Sequence, residues 1–266
     1  MRSFLIAGLV VLSANFAHAE DNQSLRVLCY NIHYGQGTDG KYDIQRLAAV
    51  IIKTQPDLVA LQEVDVGVKR SGRIHEAQRL SELTNMEVRF GPTQHYEGGL
   101  FGNAVLSRLP ILDVSIHPLP YTEATPERVT YPRGAILVTV QGSNGKPLRF
   151  ISTHFQHNVA EDRLAEAKAI NELFANGEVP TILAGDMNAT PDSAPIQELL
   201  KKWSNASDDP LAPTAPSQNP RSRIDYIFSL SSSQLQVLDA KVIVEKVASD
   251  HRPVFAEFGL SSSQKN

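Results

Sequence analysis

A repeated spacing of polar residues restricts the fold of this chain more than any other feature of its sequence. The step from Asn31 to Glu63 is 32 residues, and the step from His154 to Asp186 is also 32 residues. Each step runs from one apolar, strand-like segment through a helical pattern to a second apolar segment, which predicts two β-α-β units. Two unrelated β-α-β units of ordinary length would give the same spacing by coincidence, and that alternative stays open here.

The similarity continues beyond these units. Asn103 follows Glu63 after 40 residues, and Asp225 follows Asp186 after 39 residues. The opening strands also match, with Leu-Arg-Val-Leu at position 25 and Leu-Arg-Phe-Ile at position 148. We infer two copies of a β-α-β-β-β-β half. Two such halves packed sheet against sheet, with helices outside, predict an α/β fold, a four-layer α/β/β/α sandwich built from two similar halves.

Polar residues lie at the predicted strand ends, which would meet at one edge between the sheets. Carboxylate and amide oxygens suit Mg²⁺ or Mn²⁺, and histidines beside acids suit general-base chemistry. Hydrolysis of a phosphoester needs these groups to neutralise phosphate charge and to align a water. The local alternatives are an Asx-turn at 186–188 and structural histidines. The residues are Asn31, Glu63, His154, Asp186, Asn188, Asp225, Asp250 and His251.

Seven short motifs give the chain a family resemblance. It resembles the endonuclease/exonuclease/phosphatase superfamily, whose members include pancreatic-type deoxyribonucleases, neutral sphingomyelinases and inositol polyphosphate 5-phosphatases. That family has the four-layer sandwich with paired halves, in agreement with the repeat. The matching motifs are Tyr30-Asn31-Ile32-His33, Leu61-Gln62-Glu63, Gly102-Asn103-Ala104-Val105-Leu106-Ser107-Arg108, Ser152-Thr153-His154, Gly185-Asp186-Met187-Asn188, Arg223-Ile224-Asp225-Tyr226 and Ser249-Asp250-His251.

The resemblance implies a divalent metal, Mg²⁺ or Mn²⁺, as the cofactor. It assigns Glu63 as a metal ligand and places Asn31 near the metal and the phosphate. Asp250 would serve the metal or hold the site together. Whether one or two metals act varies within the family.

The resemblance also implies roles around the phosphate. Asp186 would orient or deprotonate the attacking water, and Asn188 would bind a phosphate oxygen or the metal. His154 would donate a hydrogen bond to the phosphate. His251 would pair with Asp225 as the base or as a phosphate ligand.

Residues that would contact the substrate are less determined by the motifs. Members of the deoxyribonuclease type pair the histidine equivalent to His154 with an acid, whereas the comparable strand here begins with the amide Asn103. This departure weakens a direct transfer of nuclease activity. Arg70, Arg73 and Arg133 could clamp a phosphate, and the alternative is that each is a solvated surface cation.

The first 19 residues have the layout of a secretory signal peptide, with Arg2, an apolar run from Phe4 to Leu12 and Ala17-His18-Ala19. We therefore expect a secreted or periplasmic protein whose single domain covers residues 20–266 and acts as a monomer. The apolar run is too short for a permanent membrane span, and no other stretch qualifies. Cys29 is the only cysteine, so an intramolecular disulfide is excluded.

The charge balance bears on the substrate. The whole chain has 25 basic and 29 acidic residues, and loss of Arg2 with the leader would leave a formal charge of −5. This balance offers no broad basic field for duplex nucleic acid, so nucleic acid is a possible partner but not the favoured one. The leading hypothesis is a metal-dependent phosphodiesterase acting on a lipid or small-molecule phosphoester. The alternatives are an extracellular nuclease of the same superfamily and an inactive phosphate-binding module.

Two local patterns give further expectations. The glycine-rich segment 94–102 predicts a mobile loop beside the site. Asn158 with Glu161 three residues later predicts a capping box at the start of a helix.

Overall fold

The computed structural model describes residues 24–207, 209, 212–233 and 235–260. The predicted leader, residues 1–19, lies outside this range. Two six-stranded sheets form the centre of the described part. The first sheet has the order β11-β12-β1-β2-β4-β3 and the second the order β5-β6-β7-β8-β10-β9. The strands are β1 Ser24–Asn31, β2 Leu58–Val66, β3 Glu87–Tyr96, β4 Gly99–Ser107, β5 Ile111–Leu119, β6 Arg133–Gln141, β7 Pro147–His154, β8 Thr181–Asp186, β9 Trp203–Asn205, β10 Asp225–Leu230, β11 Leu235–Val242 and β12 Val254–Leu260.

The helices form the outer layers of the sandwich. They are α1 Ile44–Thr54, α2 Glu76–Thr84, α3 Ala160–Phe174 and α4 Ala194–Leu199, and a 3-10 turn covers His33–Gly35. Side chains such as Val27, Ile136 and Phe150 fill the core between the sheets. A second apolar cluster joins the first sheet to α1 and α2, and a third joins the second sheet to α3 and α4. The predicted four-layer α/β/β/α arrangement is confirmed.

The two halves have the same strand order, but neither half forms a sheet of its own. Strands β3-β4-β2-β1 of the first half are continued by β12 and β11 of the second, and β9-β10-β8-β7 are continued by β6 and β5 of the first. Each half therefore has six strands rather than the predicted five and contributes its last two strands to the other sheet. Local sequence patterns cannot reveal this exchange, because strand pairing is decided by residues far apart in the chain.

The two helix starts that the sequence singled out have different outcomes. Asp43 caps α1 as predicted, since its Oδ1 accepts a hydrogen bond from Arg46 N at 3.0 Å. The predicted capping box at Asn158 is wrong, because α3 begins at Ala160 and its N-cap, Val159, has no side-chain hydrogen bond. The amide of Asn158 donates instead to Val129 O. A contact between distant segments has replaced the local cap.

The segment predicted as a mobile loop is a β-hairpin. Most of residues 94–102 belong to β3 and β4, and the two turn residues, Glu97 and Gly98, have φ values of +42° and +80°. Positive φ at both positions is typical of the turn that joins two twisted strands. Glu97 Oε2 also accepts a hydrogen bond from Arg70 N at 3.0 Å, which ties the tip to the 67–73 loop. Among the described residues, no helix is long and apolar enough to cross a membrane.

Candidate active site

The central strands bring the predicted polar residues together at one edge of the sandwich. Strands β1 and β2 are parallel neighbours, as are β7 and β8, so their carboxyl ends lie side by side. In the second sheet Asp186 of β8 is in register with both His154 of β7 and Asp225 of β10. Because the sheets pack face to face, the Asn31 end of β1 meets this group across the interface.

Glu63 reaches the site through an irregularity within β2. The sequence placed it directly after the strand, whereas β2 continues to Val66 and its register with β4 shifts between Leu61 and Val64. Glu63 itself has φ +56°. A bulge of this kind redirects a side chain without ending the strand, which explains how Glu63 lines the pocket from inside β2.

Asn31 connects the acids of the two halves. Its Nδ2 donates to Glu63 Oε1 and to Asp186 Oδ2, each at 3.0 Å. Its Oδ1 accepts from the backbone N–H of His33 at 3.0 Å, which determines the orientation of the amide. The second oxygen of Asp186 accepts from Asn188 N at 2.9 Å. Asp186 is therefore held by donors on both oxygens.

His251 and Asp225 form a buried pair next to Asp186. The Nδ1 atom of His251 lies 2.9 and 3.1 Å from the carboxylate oxygens of Asp225, and Nε2 lies 3.8 Å from Asp186 Oδ2. Burial works to lower the pKa of His251, but the charges of Asp225 and Asp186 outweigh it and raise this pKa well above its ordinary value. Burial and the charge of Asp225 raise the pKa of Asp186 to about 7, against the opposing effect of His251.

His154 has an arginine as its neighbour instead of an acid. Arg133 Nη1 lies 3.2 Å from His154 Nδ1, and Arg133 Nη2 lies 3.3 Å from His157 Nδ1. A guanidinium can only donate, so Arg133 offers N–H groups to both histidine rings. Burial and the charge of Arg133 lower the pKa of His154 well below its ordinary value, so the ring is neutral.

His154 and Asn188 lie side by side next to Asp186. His154 Nε2 lies 3.0 Å from Asn188 Nδ2, which also donates to Phe155 O at 3.0 Å. The same Nε2 lies 3.6 Å from Asp186 Oδ2. The Asn188 amide is thereby held between the His154 ring and the backbone of Phe155, next to Asp186.

These groups line one pocket of about 300 Å³. Five predicted site residues line it together with Arg70 and Arg133, and the lining also includes aromatic residues. The lining consists of Glu63, Arg70, Gln94, Tyr96, Phe101, Tyr131, Arg133, His154, His157, Asp186, Asn188 and His251.

Other predicted residues take different positions. Asn103 is 2% exposed, donates to Gly134 O at 2.9 Å and does not line the pocket, so the structure gives it no contact with a substrate there. Arg73 is also outside the lining and donates to Gly67 O. Asn31 and Asp225 do not line the pocket, but they are hydrogen-bonded to residues that do: Asn31 contacts Glu63 and Asp186, and Asp225 contacts His251. Asp250 lies beside them, with Oδ1 4.0 Å from His251 Nε2 and Oδ2 3.8 Å from His33 Nε2.

Several residues that line the pocket were not predicted from the sequence. His157 follows His154 by three residues in the segment His-Phe-Gln-His, and a second histidine so close to a predicted site residue could have been noticed. Tyr96 and Phe101 fell inside the segment interpreted as a loop. Gln94 belonged to the same segment, and Tyr131, which precedes β6, carries no motif.

The oxygen atoms around Glu63 are suitable ligands for a hard divalent cation. Carboxylates dominate this corner, with Glu63 and Asp186 in the pocket lining and Asp225 and Asp250 beside His251, and carboxylate oxygens are the ligands that such cations prefer. Asp186, Asp225 and His251 each offer a ligand atom within 4.8 Å of the others. Since His251 and Asp225 are hydrogen-bonded to each other, Glu63 is the better placed carboxylate for a cation that contacts a substrate in the pocket.

Comparison with known proteins agrees with this geometry. Residues 28–251 match the model of the Endonuclease/Exonuclease/phosphatase family. The chain is 27% identical over 254 residues to YbhP of Escherichia coli K12, covering 89% of this chain and 97% of that protein.

Two solved structures are also similar. An endonuclease/exonuclease/phosphatase from Beutenbergia cavernae has a TM-score of 0.77 at 26% identity, covering 91% of this chain and 72% of that one. The mannosyl-6-phosphatase Bt3783 of Bacteroides thetaiotaomicron has a TM-score of 0.71 at 19% identity, covering 89% of this chain and 100% of that one. At that identity the second likeness concerns the fold alone. The family match covers most of the chain and includes every strand end at the site, so this protein belongs to the endonuclease/exonuclease/phosphatase family, whose members hydrolyse phosphoesters.

Proposed function

We propose that the protein is a divalent-metal-dependent hydrolase of a lipid or small-molecule phosphoester, and that it acts outside the cytoplasm. The observation that carries this proposal is the convergence of Glu63, Asp186, His154 and His251 on one pocket, with Asn31 joining two of the acids. The leader-like composition of residues 1–19 supports the extracytoplasmic location.

Asp186 is the residue best suited to accept a proton from water. Its pKa of about 7 is close to the pH of most cellular compartments, where a general base is most efficient. Asn188 N and Asn31 Nδ2 hold its two oxygens, so the carboxylate keeps one orientation as it gains a proton. This preorganisation avoids reorientation during the reaction.

His251, His154 and Asn188 are suited to stabilising charge on the phosphate oxygens. His251, with its pKa raised by Asp225 and Asp186 despite burial, is an imidazolium at neutral pH. His154 stays neutral, because burial and the charge of Arg133 lower its pKa. His154 and Asn188, which both line the pocket beside Asp186, would contact the non-bridging oxygens.

Glu63 would hold the metal, with Asn31 orienting its carboxylate and Asp250 contributing from beside His251. A bound Mg²⁺ or Mn²⁺ would supply charge neutralisation at the phosphate and activation of a water. The carboxylate and amide donors favour these ions over Zn²⁺.

The structure offers less support for nuclease activity or an inactive module. Among the lysines and arginines that the structure describes, Arg70 and Arg133 alone belong to the pocket lining, and both are engaged in internal contacts. A nuclease surface needs several cations along a polyanion. An inactive module has no need for the Asn31, Asp225 and His251 network to stay intact.

Turnover of a phosphoester panel tests the proposal. The panel contains bis-p-nitrophenyl phosphate, p-nitrophenyl phosphate, phosphatidylinositol, sphingomyelin and plasmid DNA, each with Mg²⁺, Mn²⁺ or EDTA. Asp186→Ala and His251→Ala should each lower turnover at least about 100-fold, the scale of a positioned acid or base. Asp239→Ala, at an exposed position on β11, is the matched control. Unchanged rates in both site variants would refute the assignment, and rapid metal-dependent DNA cutting would favour the nuclease.

A further inference from the structure

Part of the pocket lining consists of aromatic and amide side chains outside the group of acids and histidines described above. Gln94 and Tyr96 lie on β3 and Phe101 on β4, with Gln94 in register with Phe101, and Tyr131 precedes β6. We call Gln94, Tyr96, Phe101 and Tyr131 the aromatic wall. None of these residues has a role in attack on phosphorus, so the wall faces a different part of the substrate.

Arg70 anchors one side of the wall. Its guanidinium lies 3.6 Å from the ring centre of Tyr34, 4.6 Å from that of Tyr96 and 5.4 Å from that of Phe101. It also forms a two-point ion pair with the buried Asp65, at 2.9 and 3.0 Å. The charge of Arg70 is therefore neutralised internally, and its contacts hold the rings in place.

Arg133 connects the other side of the wall to the catalytic histidine. The ring of Tyr131 stacks on that of His157, with centres 5.6 Å apart and planes 23° from parallel. His157 Nδ1 accepts from Arg133, the same residue that donates to His154. Both ends of the wall are thus preorganised, which lowers the entropy lost when a ligand is ordered there.

The polar groups of the wall are available to a ligand. No hydrogen bond joins the Gln94 side chain, the Tyr96 hydroxyl or the Tyr131 hydroxyl to another residue in the described part of the chain. The aromatic faces can pack against the C–H faces of a saturated ring. The free hydroxyl and amide groups can form hydrogen bonds with hydroxyls around the edge of that ring. No lysine or arginine in the lining is left over for a second phosphate.

We propose that the aromatic wall binds an uncharged, polyhydroxylated six-membered ring, as the leaving group of a phosphoester whose phosphate sits at the Asp186–His251 side. This inference rests on the proposed function for the phosphate position. A pocket of about 300 Å³ is at the small end for ligand sites, consistent with one such ring and its phosphate. The ring belongs either to a free sugar or cyclitol phosphate or to the inositol headgroup of a lipid.

Binding to the Asp186→Asn variant tests the inference without requiring turnover. Calorimetry with inositol 1-phosphate, glucose 6-phosphate and the acyclic glycerol 3-phosphate should show at least about tenfold tighter binding of one ring ligand, the equivalent of about 1.4 kcal/mol. Vesicles containing phosphatidylinositol distinguish the lipid source: binding stronger than that of both free ring phosphates assigns the headgroup, and weaker binding assigns the free ligand.

Variants of the wall complete the test. Adding Tyr131→Ala or Tyr96→Ala should remove the preference for the ring ligand and leave glycerol 3-phosphate within about twofold, whereas Tyr131→Phe retains part of it because the stacked ring remains. Tyr121→Ala, at an exposed tyrosine outside the pocket, is the matched control. Equal binding of cyclic and acyclic phosphates, or an equal loss for both in the wall variants, would overturn the inference. Phosphate binding with no hydrolysis by the wild-type protein would instead count against the proposed function.

Discussion

Replacing Glu76 with glutamine should change how the stability of this protein depends on pH. Glu76 is fully buried at the start of α2, where Oε2 accepts from Asp65 N at 2.8 Å and Oε1 has no hydrogen-bond partner. Burial raises its pKa from 4.5 to about 8, against the opposing effect of the Asp65 N–H. The carboxyl is therefore neutral in the folded protein at neutral pH, and glutamine reproduces that neutral form.

The sign of the effect follows from proton binding. Between the unfolded pKa of 4.5 and the folded value of about 8, the folded state holds a proton that the unfolded state has released. The contribution of Glu76 to the free energy of unfolding is therefore complete below pH 4.5 and is lost as the pH rises towards about 8. Each tenfold change in proton affinity is worth about 1.4 kcal/mol, so Glu76 alone lowers the free energy of unfolding by about 3 kcal/mol between about pH 5.5 and 8.5.

Urea unfolding at these two pH values measures the effect. Wild type should lose stability towards pH 8.5, and Glu76→Gln should lose about 3 kcal/mol less over the same interval. Glu82→Gln is the matched control, because Glu82 is on the same helix, is half exposed and pairs with Arg79. An unchanged pH dependence in Glu76→Gln would show that the carboxyl is ionised in the folded state and would refute the argument from burial.

Further outcomes follow from other contacts. Glu166 in α3 repeats the situation of Glu76, with Oε2 accepting from Gln156 N and a pKa raised to about 8 by burial, so Glu166→Gln should flatten the pH dependence of urea unfolding in the same way. Asp225→Asn should lower turnover at least about 100-fold with little change in KM, because asparagine cannot hold His251 as the aspartate does, and steady-state kinetics beside Asp239→Ala would check this. Gly91→Ala should lower the free energy of unfolding by about 1–3 kcal/mol, because the added carbon would lie 2.9 Å from Ile136 Cβ between the two sheets. A stability equal to wild type would contradict that packing.

The order of the main elements could be predicted from local patterns. Strands such as β1 and β8 are short apolar runs, and α1 has its Asp43 cap and apolar spacing, so each is visible within its own segment. The exchange of two strands between the halves could not be predicted in this way. The strands β3 and β9 were also missed, since their half-exposed residues lack the continuous apolar pattern of the central strands.

The chemical types at the candidate site were determined by the sequence, because Asn31, Glu63, Asp186 and His251 lie in or beside segments whose strand character is local. Their side-chain environments were decided by the tertiary structure. The sequence gives no reason to distinguish Arg133 from Arg70. In the structure Arg133 contacts His154, whereas Arg70 is paired with Asp65 and packs against three aromatic rings. Proton affinity and free charge depend on which distant groups lie within a few ångströms, and only the packing of the two sheets sets those distances.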